Sequence, residues 1–167
     1  MPIEGKIAVS PGRQALGLIV SIVICFGLAG LGSLVTGPRI PDWYAQLAKP
    51  DWTPPGWVFG PVWTALYFSM AVAAWLVWRQ GGILTAKIPL ALFTVQLVLN
   101  GLWSVLFFGF RQPGIAAVEI GLLWVAILAT TVVFWERSRL AGLLLAPYLA
   151  WVAFAALLNW TIWRMNA

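Results

Sequence analysis

Polar and apolar positions in this chain separate into five long runs, four without charge and one with a single acid, joined by short polar connections. The runs cover residues 15–36, 56–78, 88–110, 112–135 and 140–163. A helix crosses a hydrocarbon core with about 20 apolar residues, so each run is long enough to span. The pattern predicts an all-α membrane protein, a bundle of five transmembrane helices in a single domain over residues 1–167. Proline and glycine punctuate it. Pro38 and Pro41 stop the first helix, and Gly81-Gly82 end the second after Arg79. Pro61 and Pro89 fall near helix starts, where a missing N–H costs little. Pro147 lies inside the fifth run and predicts a kink. The first run follows basic residues, as a signal peptide does. Its apolar part exceeds the roughly 7–15 residues of a signal core, so it reads as a true span.

Composition sharpens this picture. The chain is 62% hydrophobic and only 9% charged, too few charges to cover a water-facing surface. Its ten basic residues stand mostly at run ends, which suits anionic lipid head groups and excludes a clustered nucleic-acid face. Lys6, Arg13, Arg79, Lys87, Arg137 and Arg139 share one side of the membrane, and Arg39, Lys49, Arg111 and Arg164 the other. The difference points weakly to an inside N-terminus. With no histidine and one cysteine, the usual metal, haem and general-base ligands are missing, so no metal site is expected.

The most distinctive stretch is residues 43–67, WYAQLAKPDWTPPGWVFGPVWTALY. It carries Trp43, Trp52, Trp57 and Trp63 around the Pro54-Pro55 pair, and reads as a structured loop closing over a pocket. Three helical faces look toward that pocket. Phe59, Trp63 and Tyr67 repeat at every fourth position of the second run. Gln96, Asn100 and Trp103 share a face of the third, where buried amides serve interhelical bonding, ligand contact or both. Tyr148, Trp151, Ala155 and Asn159 lie close to one face of the fifth, with Ala155 leaving volume a larger side chain would fill. Such stripes are ordinary core, or the wall of a flat apolar cavity.

Two further features stand outside the pocket. Gly17, Ser21, Cys25, Ala29, Ser33 and Gly37 recur at every fourth residue, a face for packing inside the bundle or for a homodimer. Glu119 is the only acid within a run. Lying about two turns from its start, it reaches the interface, pairs with Arg111, or serves function.

These motifs, with QLVLNGLWSVLFFG at 96–109 and PYLAWVAFAALLN at 147–159, resemble the tryptophan-rich sensory protein/translocator protein family, the peripheral-type benzodiazepine receptors. The similarity runs from about residue 15 to Arg164. It implies five transmembrane helices, commonly dimeric, with the first loop closing over a ligand cavity. It implies binding of protoporphyrin IX, haem or another planar apolar molecule, and no obligatory cofactor. Together with the loop and the three faces, this gives the expected ligand contacts as Trp43, Trp52, Pro54, Pro55, Phe59, Trp63, Tyr67, Gln96, Asn100, Trp103, Tyr148, Trp151 and Ala155. The resemblance places the two tryptophans linked to light-dependent porphyrin breakdown at Trp63 and Trp151. Three departures stand out. Trp160 replaces the tyrosine of a sterol-recognition motif, Ile115 replaces a tryptophan common in animal members, and Glu119 replaces an aspartate.

The functional expectation is an integral membrane porphyrin-binding sensor or regulator. The alternatives are light-driven porphyrin degradation through tryptophan and transport of porphyrin or sterol-like ligands. Lacking histidine, the site should hold the macrocycle by ring contact and shape, with little preference for iron.

Overall fold

A computed structural model describes residues 10–167. Lys6 and the first part of the polar N-terminal tail lie outside this range. The helices are α1 (Pro11–Thr36), α2 (Arg39–Asp42), α3 (Gly56–Trp78), α4 (Gly82–Thr85), α5 (Lys87–Ser104), α6 (Pro113–Arg137) and α7 (Arg139–Asn166). A 3-10 turn, Tyr44–Gln46, sits in the first loop, and a π-helical turn, Val105–Gly109, continues α5. Among the described residues, five helices are long and apolar enough to cross a membrane: α1, α3, α5 with its π turn, α6 and α7. This is an integral membrane protein with the five-helix architecture that the hydropathy pattern predicts.

The helices close into a ring in the order α1, α3, α7, α6, α5 and back to α1. Chain direction alternates, so the long first loop, the π turn and the end of α7 share one side of the membrane.

α1 starts four residues before its apolar run. Pro11 occupies the first helical turn, where its lost N–H has no partner to miss, and the Gln14 N–H donates to the Ser10 carbonyl at 2.9 Å. The Trp75 indole of α3 donates to the Gln14 carbonyl at 2.8 Å and ties this extension down. The small residues of α1 pack within the chain over its first half. Gly17 lies against the Trp78 ring, and Cys25 is fully buried. Ser33 and Gly37, at the far end of that row, are exposed.

The π turn re-aims a whole segment. The Phe110 N–H reaches back five residues to the Val105 carbonyl at 2.8 Å, widening the helix. Arg111 then takes a left-handed conformation, φ 55°, which turns the chain into α6. The turn buries Phe107 and Phe108 against the first loop and α7. At the opposite side Ser138 caps α7, its hydroxyl accepting from the Ala141 N–H at 3.4 Å. Pro147 sits inside α7 on the exposed side, and the Ser69 hydroxyl docks on the nearby Leu144 carbonyl at 2.5 Å.

Candidate functional site

The ring of helices is crossed near mid-depth by four polar side chains. The Tyr67 hydroxyl of α3 donates to Asn100 Oδ1 of α5 at 2.5 Å. Asn100 Nδ2 donates to the Tyr148 hydroxyl of α7 at 3.0 Å. That hydroxyl donates in turn to Gln96 Oε1 at 3.0 Å. All four residues are buried, so in the membrane each must find its partners inside the protein. Gln96 and Asn100, one turn apart on α5, therefore bond across the bundle. One group is left over: Gln96 Nε2 is buried with no hydrogen-bond partner.

On the loop side of this layer the interior is aromatic. Trp63, one turn from Tyr67 on α3, has its ring 5.6 Å from Tyr67 and 6.3 Å from Tyr148. Phe59, one turn further, meets Trp151 edge-on at 5.8 Å. Trp151 also meets Phe154 at 5.5 Å, and its indole N–H is buried and unpaired. Ala155 is half-buried and packs on the same core as these rings. Trp103 stacks on Phe107 at 5.1 Å, and its N–H donates to Asn159 Oδ1 at 2.9 Å. Asn159 Nδ2 donates to the Pro113 carbonyl at 2.8 Å and so joins α5, α6 and α7 at this level.

The first loop lies over these rings. Trp43 meets Phe107 at 5.6 Å and Phe108 at 6.4 Å. Tyr44 meets the same two phenylalanines, and Trp52 reaches Phe154 at 5.9 Å. The loop is also bonded to itself. Lys49 Nζ donates to the carbonyls of Tyr44 and Leu47, each at 2.8 Å, and of Ala45 at 3.3 Å. The ammonium lies 4.9 Å from the centre of the Tyr44 ring. Burial pushes the pKa of the Tyr44 hydroxyl above its ordinary value. Pro54 is half-buried. Pro55 is exposed and stands at the start of α3 with φ −55° and ψ 143°, a conformation its ring favours.

The structure thus gathers the sequence-derived site residues at three levels. Tyr67, Gln96, Asn100 and Tyr148 form the polar floor. Phe59, Trp63, Trp103, Trp151 and Ala155 stand between floor and loop, and Trp43, Trp52 and Pro54 belong to the loop. Pro55 is exposed at the N-cap position of α3. Phe107, Phe108 and Phe154 were not singled out from sequence, although all three lie within the quoted motifs. The pairing of Glu119 with Arg111 is not formed. Glu119 lies on the buried stripe of α6 with Ala116, Ile120 and Leu123, and both its carboxyl oxygens lack hydrogen-bond partners. Arg111 is exposed in the left-handed turn before α6.

An open groove of about 390 Å³ lies elsewhere, between α1 and α5. Val23, Gly27, Leu31, Thr94 and Val98 line it, and all five are exposed on the lipid-facing surface.

A ring of membrane-spanning helices, its interior walled by aromatic side chains beneath a self-bonded first loop, is the class of protein that fold and site define. The sequence profile of the TspO/MBR family matches residues 20–164, and the chain belongs to that family. It is 51% identical over 126 residues to the Translocator protein of Homo sapiens, covering 74% of this chain and 75% of that one. It is 41% identical over 152 residues to the Tryptophan-rich protein TspO of Archaeoglobus fulgidus, covering 91% and 98%. The Tryptophan-rich sensory protein of Cereibacter sphaeroides is 37% identical over 145 residues, covering 87% and 88%.

Proposed function

We propose that this protein is a membrane sensor or regulator that binds a planar apolar tetrapyrrole, such as protoporphyrin IX or haem, between the polar floor and the first loop. The observation that carries this reading is the pair of buried, unpaired donors, Gln96 Nε2 and the Trp151 indole N–H, in an interior otherwise walled by rings. Buried donors cost free energy when unmet, and a ligand with acceptor groups at its edge recovers that loss. Edge-to-face contacts such as Phe59–Trp151 and Trp63–Tyr148 give way to stacking when a flat molecule enters. The name of the Cereibacter sphaeroides relative, a sensory protein, agrees with a signalling role.

No histidine is available to ligate iron, so ring contact sets affinity. Absorption titration of the detergent-purified protein in the dark tests this. Protoporphyrin IX and haem should bind with dissociation constants within about tenfold of each other. Haem binding more than about a hundredfold tighter than protoporphyrin IX, or no saturable binding of either compound, would refute the reading.

A second reading is light-driven porphyrin breakdown, favoured by the inward placement of Trp63 and Trp151. Trp63→Phe and Trp151→Phe should slow pigment loss under illumination while leaving dark affinity within a few-fold. Rates that follow affinity alone would remove the catalytic role.

A further inference from the structure

The first loop carries many internal bonds and almost none to the helices it covers. Lys49 ties Tyr44, Ala45 and Leu47 together, and Thr53 bonds back to Pro50 through its N–H at 2.9 Å and its hydroxyl at 2.7 Å. Proline sits at both ends, at Pro38 and at Pro54-Pro55. Such a segment moves as a unit rather than unravelling residue by residue. Its edge-on aromatic contacts to Phe107, Phe108 and Phe154 are each weaker than a hydrogen-bonded pair would be in apolar surroundings and accept more than one ring arrangement.

One contact is different in kind. The Ala48 N–H donates to Asn166 Oδ1 at 3.0 Å, and Asn166 Nδ2 donates to the Ala48 carbonyl at 2.9 Å. Asn166, in the last turn of α7, thus pairs with both backbone groups of a single loop residue, Ala48, through both ends of its amide. The second hydrogen of Nδ2 goes to the Ile162 carbonyl of α7 at 2.7 Å, which fixes the side chain before the loop arrives. Among the described residues, this clasp is the only hydrogen bonding between residues 43–53 and α3, α5, α6 or α7, the Trp43 N–H going to the Arg39 carbonyl of the adjoining short α2 at 3.1 Å.

We infer that Asn166 is a latch: its two bonds to Ala48 hold the first loop shut, and their breaking limits how fast a ligand enters and leaves the interior. The inference rests on the proposed binding reading for the ligand, and not for the latch itself. Ala48 and Asn166 are exposed, so water replaces both bonds when the loop lifts. A bond of that kind is weak enough to break often and directional enough to define one closed position. The latch stands apart from the aromatic site residues, so it governs rates more than affinity.

Two measurements on the full-length protein test this, each on wild type, Asn166→Ala and Asn166→Asp. Hydrogen exchange of residues 43–53 needs no ligand. Asn166→Ala should raise it about tenfold, and Asn166→Asp, which keeps an acceptor for Ala48 N–H but loses the donor, should fall between. Stopped-flow mixing with protoporphyrin IX should show association and dissociation both faster by about tenfold in Asn166→Ala, with the dissociation constant within about threefold of wild type. Unchanged exchange in the loop overturns the latch. Faster loop exchange with unchanged ligand rates overturns its gating role. If wild type binds no protoporphyrin, the binding reading and the gating fall together, while hydrogen exchange still decides whether Asn166 fastens the loop.

Discussion

The Tyr148 hydroxyl donates to the side-chain oxygen of Gln96 at 3.0 Å and leaves the Gln96 amide nitrogen, buried beside it, without a partner. Tyr148 also accepts from Asn100, so one hydroxyl joins two polar residues of α5. Tyr67, by contrast, makes a single donation to Asn100. Bonds between transmembrane helices contribute roughly 0.6 kcal/mol each. Tyr148→Phe should therefore cost about twice what Tyr67→Phe costs, roughly 1.2 against 0.6 kcal/mol. Unfolding of the two variants in detergent, followed by near-ultraviolet circular dichroism, checks the ratio. Equal losses would mean that Tyr148 does not bridge both amides.

The tight turn between α6 and α7 depends on an absent side chain. A Cβ on Gly142 would lie 2.8 Å from Trp135 Cβ and 2.9 Å from its Cα, and backbone cannot yield as a side chain can. Gly142→Ala should destabilise by about 1–3 kcal/mol. Gly121, in the middle of α6, has nothing within 4 Å of the same position. Gly121→Ala should gain about 0.5–1 kcal/mol from helix propensity. Thermal midpoints that move in opposite directions confirm the contrast. A neutral Gly142→Ala would show that α6 and α7 sit further apart.

Glu119 is 6% exposed and its carboxyl has no hydrogen-bond partner. An acid held this way at membrane depth costs free energy, and an amide of the same length costs less. Glu119→Gln should raise the thermal midpoint by about 2–4 °C, the shift expected from about 1 kcal/mol in a chain of this size. A fall of the same size would mean that the carboxyl holds a partner which glutamine cannot.

Tyr44 gives the loop a dependence on alkaline pH. Burial raises its pKa above the ordinary 10.0, so the folded loop keeps the phenolic proton more tightly than the unfolded chain. That contribution is complete below pH 10.0 and is lost as pH rises through the higher folded value. Proteolytic cleavage within residues 43–53 should accelerate over that range in wild type and change less in Tyr44→Phe. The same acceleration in both would assign the effect to another group.

Hydropathy made the five spans legible because lipid leaves so little room for charge. It placed the start of α1 at residue 15 because Arg13 and Gln14 are polar, although both lie on the helix, where Trp75 holds the Gln14 carbonyl. The π turn was not legible, since the run continues unbroken through VLFFG and nothing in its composition marks a five-residue hydrogen bond. The interior faces of α3, α5 and α7 could be read from fourfold spacing. The partners of Gln96, Asn100 and Tyr148 could not, because spacing fixes a face but not which helix stands opposite. Glu119 shows the same limit. Distance along the chain suggested Arg111, but Arg111 is exposed in the left-handed turn before α6 and Glu119 is buried in the core. Lys49 and Asn166 look like ordinary interfacial polar residues in sequence, and only the folded loop gives them partners.

The most direct measurement is a dark tryptophan-fluorescence titration with protoporphyrin IX on wild type, Ala155→Leu and Val118→Leu. Ala155 packs among the interior rings, while Val118 is 69% exposed on the outer face of α6. Added bulk at Ala155 should weaken binding at least tenfold while Val118→Leu binds as wild type. Identical, unsaturable quenching in all three would place the porphyrin in the detergent or on the outer surface, and would contradict a site inside the bundle.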